Sequence, residues 1–142
     1  MDSQSHIAGT EKLAAILGEW PSFHDAEVIS FSLERGLPFR KGYTSARLVV
    51  NIRRFALEYS DSIHYEQALK RNVLVKFAFS GICEMEIAEW NHQNVINSIE
   101  VTSDETRRTG RLKVEIESIF GFGGTFLCAA IEVEDVEVLA SD

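Results

Sequence analysis

Cysteine, proline and basic residues are all scarce in this chain, and long apolar runs are absent. The 142 residues include two cysteines, two prolines and 14 basic side chains. Cys83 and Cys128 lie in apolar segments without C-x-x-C spacing, so we interpret them as buried free thiols rather than a disulfide framework or a zinc site. No run of about 18 apolar residues could span a bilayer, and the first residues lack the basic-then-apolar order of a signal peptide. We therefore expect a cytoplasmic protein.

The charge balance restricts the partners of the protein. The 22 acidic residues outnumber the basic ones and leave a formal net charge of −8 at pH 7. This charge disfavours binding to the phosphate backbone of a nucleic acid or to an anionic membrane. We expect neither partner, and a basic protein is favoured instead.

The size and apolar content are typical of one folded domain. With 142 residues, 45% of them apolar, the chain can build one sizeable core. We expect a single domain over residues 1–142, with residues 1–9 as a flexible tail. Apolar residues at helical spacing predict a short helix over residues 10–18, capped by Thr10 and ended by Gly18.

Alternation of apolar and polar residues predicts about seven strands. Residues 73–79 and 83–89 are interpreted as a hairpin broken at Gly81, and the phase slip in the last strand predicts a bulge near Glu134 and Asp135. Residues 58–71 show neither period and are interpreted as a loop with one helical turn at most. The predicted fold is α+β and mainly antiparallel β, a curled or two-layer sheet with one short N-terminal helix. The predicted strands are 28–34, 46–57, 73–79, 83–89, 95–102, 112–117 and 125–139.

The segment from Gly18 to Val28, GEWPSFHDAEV, contains the most chemically capable residues. His24 and Asp25, joined by the distant His92, could form a metal-binding or acid–base centre, and this is the enzymatic alternative. Neighbouring side chains on an extended backbone diverge, however, so His24 and Asp25 need not converge. We expect no catalytic residue, no cofactor and no tightly held metal.

The structural interpretation of the same segment requires no chemistry. Trp20 and Phe23 would anchor the helix end in the core, while His24 completes a polar turn. Asp25 would accept backbone hydrogen bonds, and Asp25→Ala would then cost about 1–3 kcal/mol of stability by leaving buried donors unpaired. The glycines of GFGG, residues 121–124, are typical of a turn and lack the remainder of a phosphate-loop motif.

Carboxylates cluster on two predicted strands, 83–89 and 125–139. Such a pattern is either an ordinary solvated face or an electrostatic surface that attracts a basic protein.

Three segments in their order along the chain carry a family resemblance: WPSFHDAEV at residues 20–28, FAFSGI at 77–82 and WNHQNVI at 90–96. Together with the closing glycine-rich hairpin they resemble the immunity protein 50 family of bacterial polymorphic toxin systems, over roughly residues 15–138.

The resemblance implies a non-catalytic cytosolic protein that binds and neutralises a cognate toxin, with a basic toxin domain as its partner. In this interpretation the polar turns are a structural signature, formed by Trp20, Phe23, His24, Asp25, Asn91 and Asn94. The acidic strands then offer the contact residues, with Glu84, Glu86, Glu132, Glu134 and Asp135 as the leading candidates.

Overall fold

The computed structural model describes residues 3–36, 44–59, 65–104 and 110–139, with side chains for all of these except 55–59 and 65–70. A 3-10 turn at Ser3–His6 precedes the helix α1, Glu11–Leu17. Eight strands follow within these residues: β1 Ala26–Arg35, β2 Thr44–Tyr59, β3 Tyr65–Ser80, β4 Cys83–Ala88, β5 Val95–Ser103, β6 Leu112–Phe120, β7 Gly123–Cys128 and β8 Ala130–Val138.

The predicted helix is confirmed. Thr10 is its N-cap residue, although the Thr10 side chain makes no capping hydrogen bond. Gly18 ends the helix in the left-handed conformation, with a φ of 86°, and its N–H donates to the carbonyl of Ala14 over 2.7 Å. This is the C-terminal geometry that glycine favours, because glycine has no Cβ to clash. Leu13 is fully buried and fixes the helix on the core.

The eight strands form one antiparallel sheet in the order β4-β7-β6-β5-β1-β2-β3-β8. This confirms the predicted fold class, with eight strands in place of about seven. β3 and β4 lie far apart in this order, yet only two residues separate them along the chain. The sheet must therefore curl back on itself, and it stays open, with β4 and β8 as its edge strands.

Two corners of the chain meet where the sheet curls. β3 passes into β4 at Gly81 and Ile82, and β7 passes into β8 at Ala129, whose N–H donates to the Ser80 carbonyl over 2.8 Å. Gly81 has a φ of 66°, and a Cβ there would lie 2.8 Å from the Cβ of Ala129. The hairpin predicted at Gly81 is therefore wrong: the glycine forms a corner, and β4 pairs with β7 instead of β3.

The bulge predicted near the start of the last acidic run is confirmed. Glu134 is skipped in the ladder with β3, because Val133 pairs with Phe77 while Asp135 pairs with Lys76. The extra residue restores Val136 to the core side of β8, whereas Val138 at the end of the strand is 58% exposed. The predicted single last strand is broken once, between β7 and β8, which accounts for the eighth strand.

The β2–β3 hairpin is longer than the sequence indicates. The two strands remain paired as far as Tyr59 and Tyr65. The interpretation of residues 58–71 as a loop is therefore wrong where the structure describes them, and residues 60–64 lie outside the described part of the chain. The outer half of this hairpin has no third strand beside it among the described residues.

The curled sheet encloses a core of aromatic and branched side chains. Its largest fully buried members are Phe77, Phe79, Phe122 and Phe126. Residues 3–9, expected from the sequence to be a flexible tail, lie against β5 and β8 in the structure. None of the described helices has the length and apolar character needed to cross a membrane.

Candidate functional site

The segment between α1 and β1 is fixed by aromatic contacts with the core. Trp20 and Phe23 meet edge to face with their ring centroids 5.4 Å apart, and Phe23 lies 5.6 Å from Phe77. Phe23 is buried even though its φ is 64°, a conformation that is uncommon for a bulky residue. The turn therefore places an aromatic anchor in the core at some cost in backbone strain.

His24 and Asp25 lie on the outside of this turn. His24 is exposed, and its Nδ1 lies 2.7 Å from the Asn97 side-chain oxygen. The Asp25 side chain is 72% exposed, and its carboxylate lies 3.5 Å from His24 Nε2. The expectation that this carboxylate accepts backbone hydrogen bonds is wrong for the described residues. What Asp25 supplies instead is a left-handed backbone conformation with a φ of 67°.

This conformation gives a prediction for Asp25. Aspartate and asparagine adopt the left-handed region more readily than alanine does, so Asp25→Ala should lower the free energy of unfolding by about 1 kcal/mol. Asp25→Asn keeps this tolerance and removes the charge, and it should be close to neutral in a urea titration. An equal loss in both variants would contradict the backbone explanation and assign the effect to the carboxylate.

Asn94 is the best-satisfied polar residue at the other end of the β1–β5 contact. It is 3% exposed, and its Oδ1 accepts hydrogen bonds from the N–H groups of Asn91 and Phe122, each over 2.9 Å. Its Nδ2 donates to the Asn91 carbonyl over 3.0 Å. One buried amide thus joins the turn before β5 to the turn between β6 and β7. Gly121 is required beside it, because a Cβ there would collide with the Asn94 side chain.

His92 does not join His24 and Asp25. The β1–β5 ladder consists of Ala26 with Ile96 and Glu27 with Val95. His24 precedes Ala26 and His92 precedes Val95, so in an antiparallel pair they leave this ladder at opposite ends.

The surroundings of His92 show no catalytic arrangement. Its Nδ1 lies 2.9 Å from the Asn91 side-chain oxygen, and its ring contacts Phe120. Among the described residues, no three His, Cys, Asp or Glu side chains are grouped so that they could hold a metal ion. His24, Asp25 and His92 therefore do not come together as the acid–base or metal centre that the enzymatic alternative requires.

The two cysteines are free thiols, as the sequence indicates. Burial raises the pKa of Cys128 from 9.0 to about 12, while the charge of Arg111 acts in the opposite direction. The Cys128 thiol is therefore protonated at neutral pH and is a poor nucleophile.

A row of carboxylates crosses four strands on the outer face of the sheet. The registers place Glu86 of β4 opposite Thr125 of β7, Thr125 opposite Glu115 of β6, and Glu115 opposite Glu100 of β5. All three glutamates are exposed. Lys113 on β6 lies 3.2 Å from Glu115. We call Glu86, Glu115 and Glu100 the acidic row.

A shallow groove of about 280 Å³ adjoins the acidic row. Besides Glu86, the groove contains Glu84 of β4 and the buried Asp104, which directly follows β5. Its lining residues are Glu84, Glu86, Asp104, Lys113, Thr125, Phe126 and Leu127.

The carboxylates of β8 are in a different electrostatic environment. Glu134 forms an ion pair with Arg47, whose Nε lies 3.1 Å from the carboxylate. The hydrogen bond and the charge of Glu134 raise the pKa of Arg47 above its ordinary value. Asp135 stands opposite Lys76 in the β3–β8 ladder, whereas Glu132 and Glu137 stand opposite apolar residues, Ala78 and Leu74. The β8 surface is thus partly neutralised.

The predicted contact residues therefore divide into two groups on different strands. Glu84 and Glu86 lie on β4 at one edge of the sheet order, while Glu132, Glu134 and Asp135 lie on β8 at the other. Glu100 and Glu115 were not among the predicted residues, although the structure aligns them with Glu86. The alternation of Glu115 in its strand could have identified it as outward, but only the register shows what it adjoins.

A sequence model of the immunity protein 50 family matches residues 9–139. No curated protein and no solved structure is matched by the chain. The matched range includes α1, all eight strands, the anchored turn at Phe23 and the Asn94 turn. The chain belongs to the immunity protein 50 family.

Proposed function

We propose that this protein binds a cognate toxin domain of a bacterial polymorphic toxin system and neutralises it in the cytoplasm, without catalysing a reaction. The family match over residues 9–139 carries this proposal. The exposed carboxylates of the acidic row also suit a binding role. Within the described residues, His24 and His92 do not come together in a catalytic arrangement.

The acidic row is the better of the two candidate surfaces for the toxin. Glu86, Glu115 and Glu100 are aligned on neighbouring strands with one nearby lysine, Lys113, among the described residues of the row and its groove. Each surface has one described ion pair, Lys113–Glu115 in the row and Arg47–Glu134 on β8, but on β8 a second cation, Lys76, also stands opposite Asp135. Aligned carboxylates with fewer cations beside them produce a stronger local potential. The toxin surface that fits the acidic row is basic.

Co-expression tests the function directly. The C-terminal domain of the toxin encoded next to the gene for this chain should arrest growth of a bacterial host when it is expressed alone. Growth should recover when this protein is expressed with it, and the two should elute together in size-exclusion chromatography at the sum of their masses. Growth arrest that persists despite folded protein would contradict the proposed function.

Recovery without complex formation would favour an enzymatic alternative. In that case the His24→Ala and His92→Ala variants should lose protection, whereas a binding protein should keep it with both substitutions. The matched pair separates chemistry from binding because both side chains are exposed and neither is in the acidic row.

A further inference from the structure

The sheet has an internal seam where β1 and β5 barely pair. Only Ala26 and Glu27 pair with β5, and the Val28 N–H then donates to the Asn94 carbonyl over 2.7 Å. β1 nevertheless continues to Arg35, paired with β2 on its other side. Within the described residues, no strand pairs with the β5-facing edge of residues 30–34. Alternate residues of a strand direct their backbone groups to that side, so this edge carries unpaired donors and acceptors.

Other edges of the sheet are covered or interrupted. The β5 side of the seam is covered by the N-terminal turn, where the Val101 N–H donates to Ser3 Oγ over 2.8 Å. The free edge of β8 forms a parallel bridge with Ala8, and Lys12 Nζ donates to its Val133 carbonyl over 3.3 Å. β4 is short and irregular, with Glu84 at a φ of 52°. Coverage, charge and irregularity are the usual protections against strand pairing. The β1 edge has a bulge between Val28 and Ser30 and the charge of Glu34, but no described strand or turn covers it beyond the bulge.

Apolar side chains lie beside the unpaired edge. Phe31 is half-buried against Phe122, with ring centroids 5.1 Å apart, and Trp90 contacts the same Phe122 ring at 5.6 Å. Leu33, two residues beyond Phe31 on the same face of β1, is 55% exposed, and Trp90 is 54% exposed. A strand that binds by addition uses two features, an unpaired backbone edge and exposed apolar side chains next to it, and both are present here.

The chemistry of the edge defines its occupant. Unpaired strand groups are complemented by another extended backbone, and Phe31, Leu33 and Trp90 favour apolar side chains on it. A second copy of this chain would bring together two molecules that each carry a net charge of −8, whereas a basic segment is attracted. Trp90 lies two residues after the end of β4, and the exposed Glu89 precedes it. Because Trp90 and Phe31 contact the same Phe122 ring, the β1 edge lies near β4, the strand that begins the acidic row.

We propose that residues 30–34 of β1 accept an extended, basic and apolar segment of the toxin by β-strand addition. The inference rests on the proposed function and specifies how the partner is bound. Main-chain hydrogen bonds along β1 supply the affinity, and the contacts with Leu33 and Trp90 select the apolar side chains.

The test uses the complex with the toxin domain encoded by the adjacent gene, and two variants with matched changes. Leu33→Lys places a cation beside the edge and should weaken binding by about tenfold or more, as expected for a central apolar contact. Val138→Lys makes the same charge change at a side chain that is 58% exposed on β8, and it should change the dissociation constant by less than about twofold. Thermal unfolding of both variants checks that the fold is kept.

Hydrogen exchange on the wild-type complex gives a second measurement that needs no variant. Strand addition predicts that alternate amides within residues 30–34 gain protection when the toxin binds. Unchanged exchange there, or equal binding by the two variants, would overturn the edge assignment while leaving toxin neutralisation intact. Dimerisation of the isolated protein that Leu33→Lys abolishes would assign the edge to a second copy and also overturn it. Absence of any wild-type binding would overturn the proposed function together with this inference.

Discussion

Replacing Asn94 with alanine should lower the free energy of unfolding by about 2–4 kcal/mol. The substitution removes the acceptor of the Asn91 and Phe122 N–H groups and the donor to the Asn91 carbonyl. A buried group that loses its partner costs more than the net strength of the bond, because water cannot easily replace it. Chemical denaturation monitored by tryptophan fluorescence would measure the loss.

Asn91→Ala is the matched control for this prediction. Asn91 is the same residue type in the same turn, but it is exposed, and its side-chain oxygen accepts a hydrogen bond from the His92 N–H over 2.8 Å. Asn91→Ala should lower the free energy of unfolding by less than about 1 kcal/mol, because water can replace the lost hydrogen-bond partner of the His92 N–H. Equal losses at the two positions would show that the general integrity of the turn, rather than the buried amide of Asn94, determines its contribution.

Local sequence patterns predict the elements of this fold better than their connections. The presence of a strand at β1 and the Gly18 stop both follow from contacts within a few residues, and both are confirmed. The alternation in β1 does not hold throughout, because a bulge between Val28 and Ser30 interrupts it and Ile29 is 47% exposed. A glycine between two alternating segments, by contrast, is equally compatible with a hairpin and with a corner. Gly81 forms a corner because Ala129 and Ser80 meet beside it. These two residues are far apart in the sequence, so no local pattern can predict their contact.

The candidate site shows the same limit. The sequence identified Asn94 through a resemblance, but its partner Phe122 lies 28 residues away and could not be named from spacing. The acidic row depends on the registers of three ladders, and a shift by one residue in any of them would move its glutamates to the other face. In the sequence, the carboxylates of β8 cannot be distinguished from those of the acidic row. Only the structure shows that Arg47 and Lys76 lie beside the β8 carboxylates.

In the proposed mode of binding, the acidic row and the seam act at two successive stages. Aligned carboxylates act at a distance and raise the rate of encounter with a basic toxin. The β1 edge acts only on contact, because main-chain hydrogen bonds and the packing of Leu33 and Trp90 require close approach. Substitutions in the acidic row should therefore alter association, whereas substitutions at the edge should alter dissociation.

Reversing two charges of the acidic row should slow toxin association by about an order of magnitude at low salt. The variant is Glu86→Lys with Glu100→Lys, which leaves the Lys113–Glu115 ion pair in place. Its control, Glu132→Lys with Glu137→Lys, changes the net charge by the same amount on β8, where both residues are exposed. If only total charge matters, the two variants should slow association equally.

Salt provides the decisive comparison between the acidic row and the β8 surface. The Debye length is about 10 Å at 0.1 M and about 3 Å at 1 M, so added salt removes attraction between exposed charges. We expect the wild-type association rate, measured by stopped-flow fluorescence, to fall steeply with salt. The acidic-row variant should show a shallow dependence and the β8 variant a dependence close to wild type. A shallow dependence for the β8 variant instead would transfer the interface to Glu132 and its neighbours, and a wild-type rate that salt does not change would exclude electrostatic steering altogether.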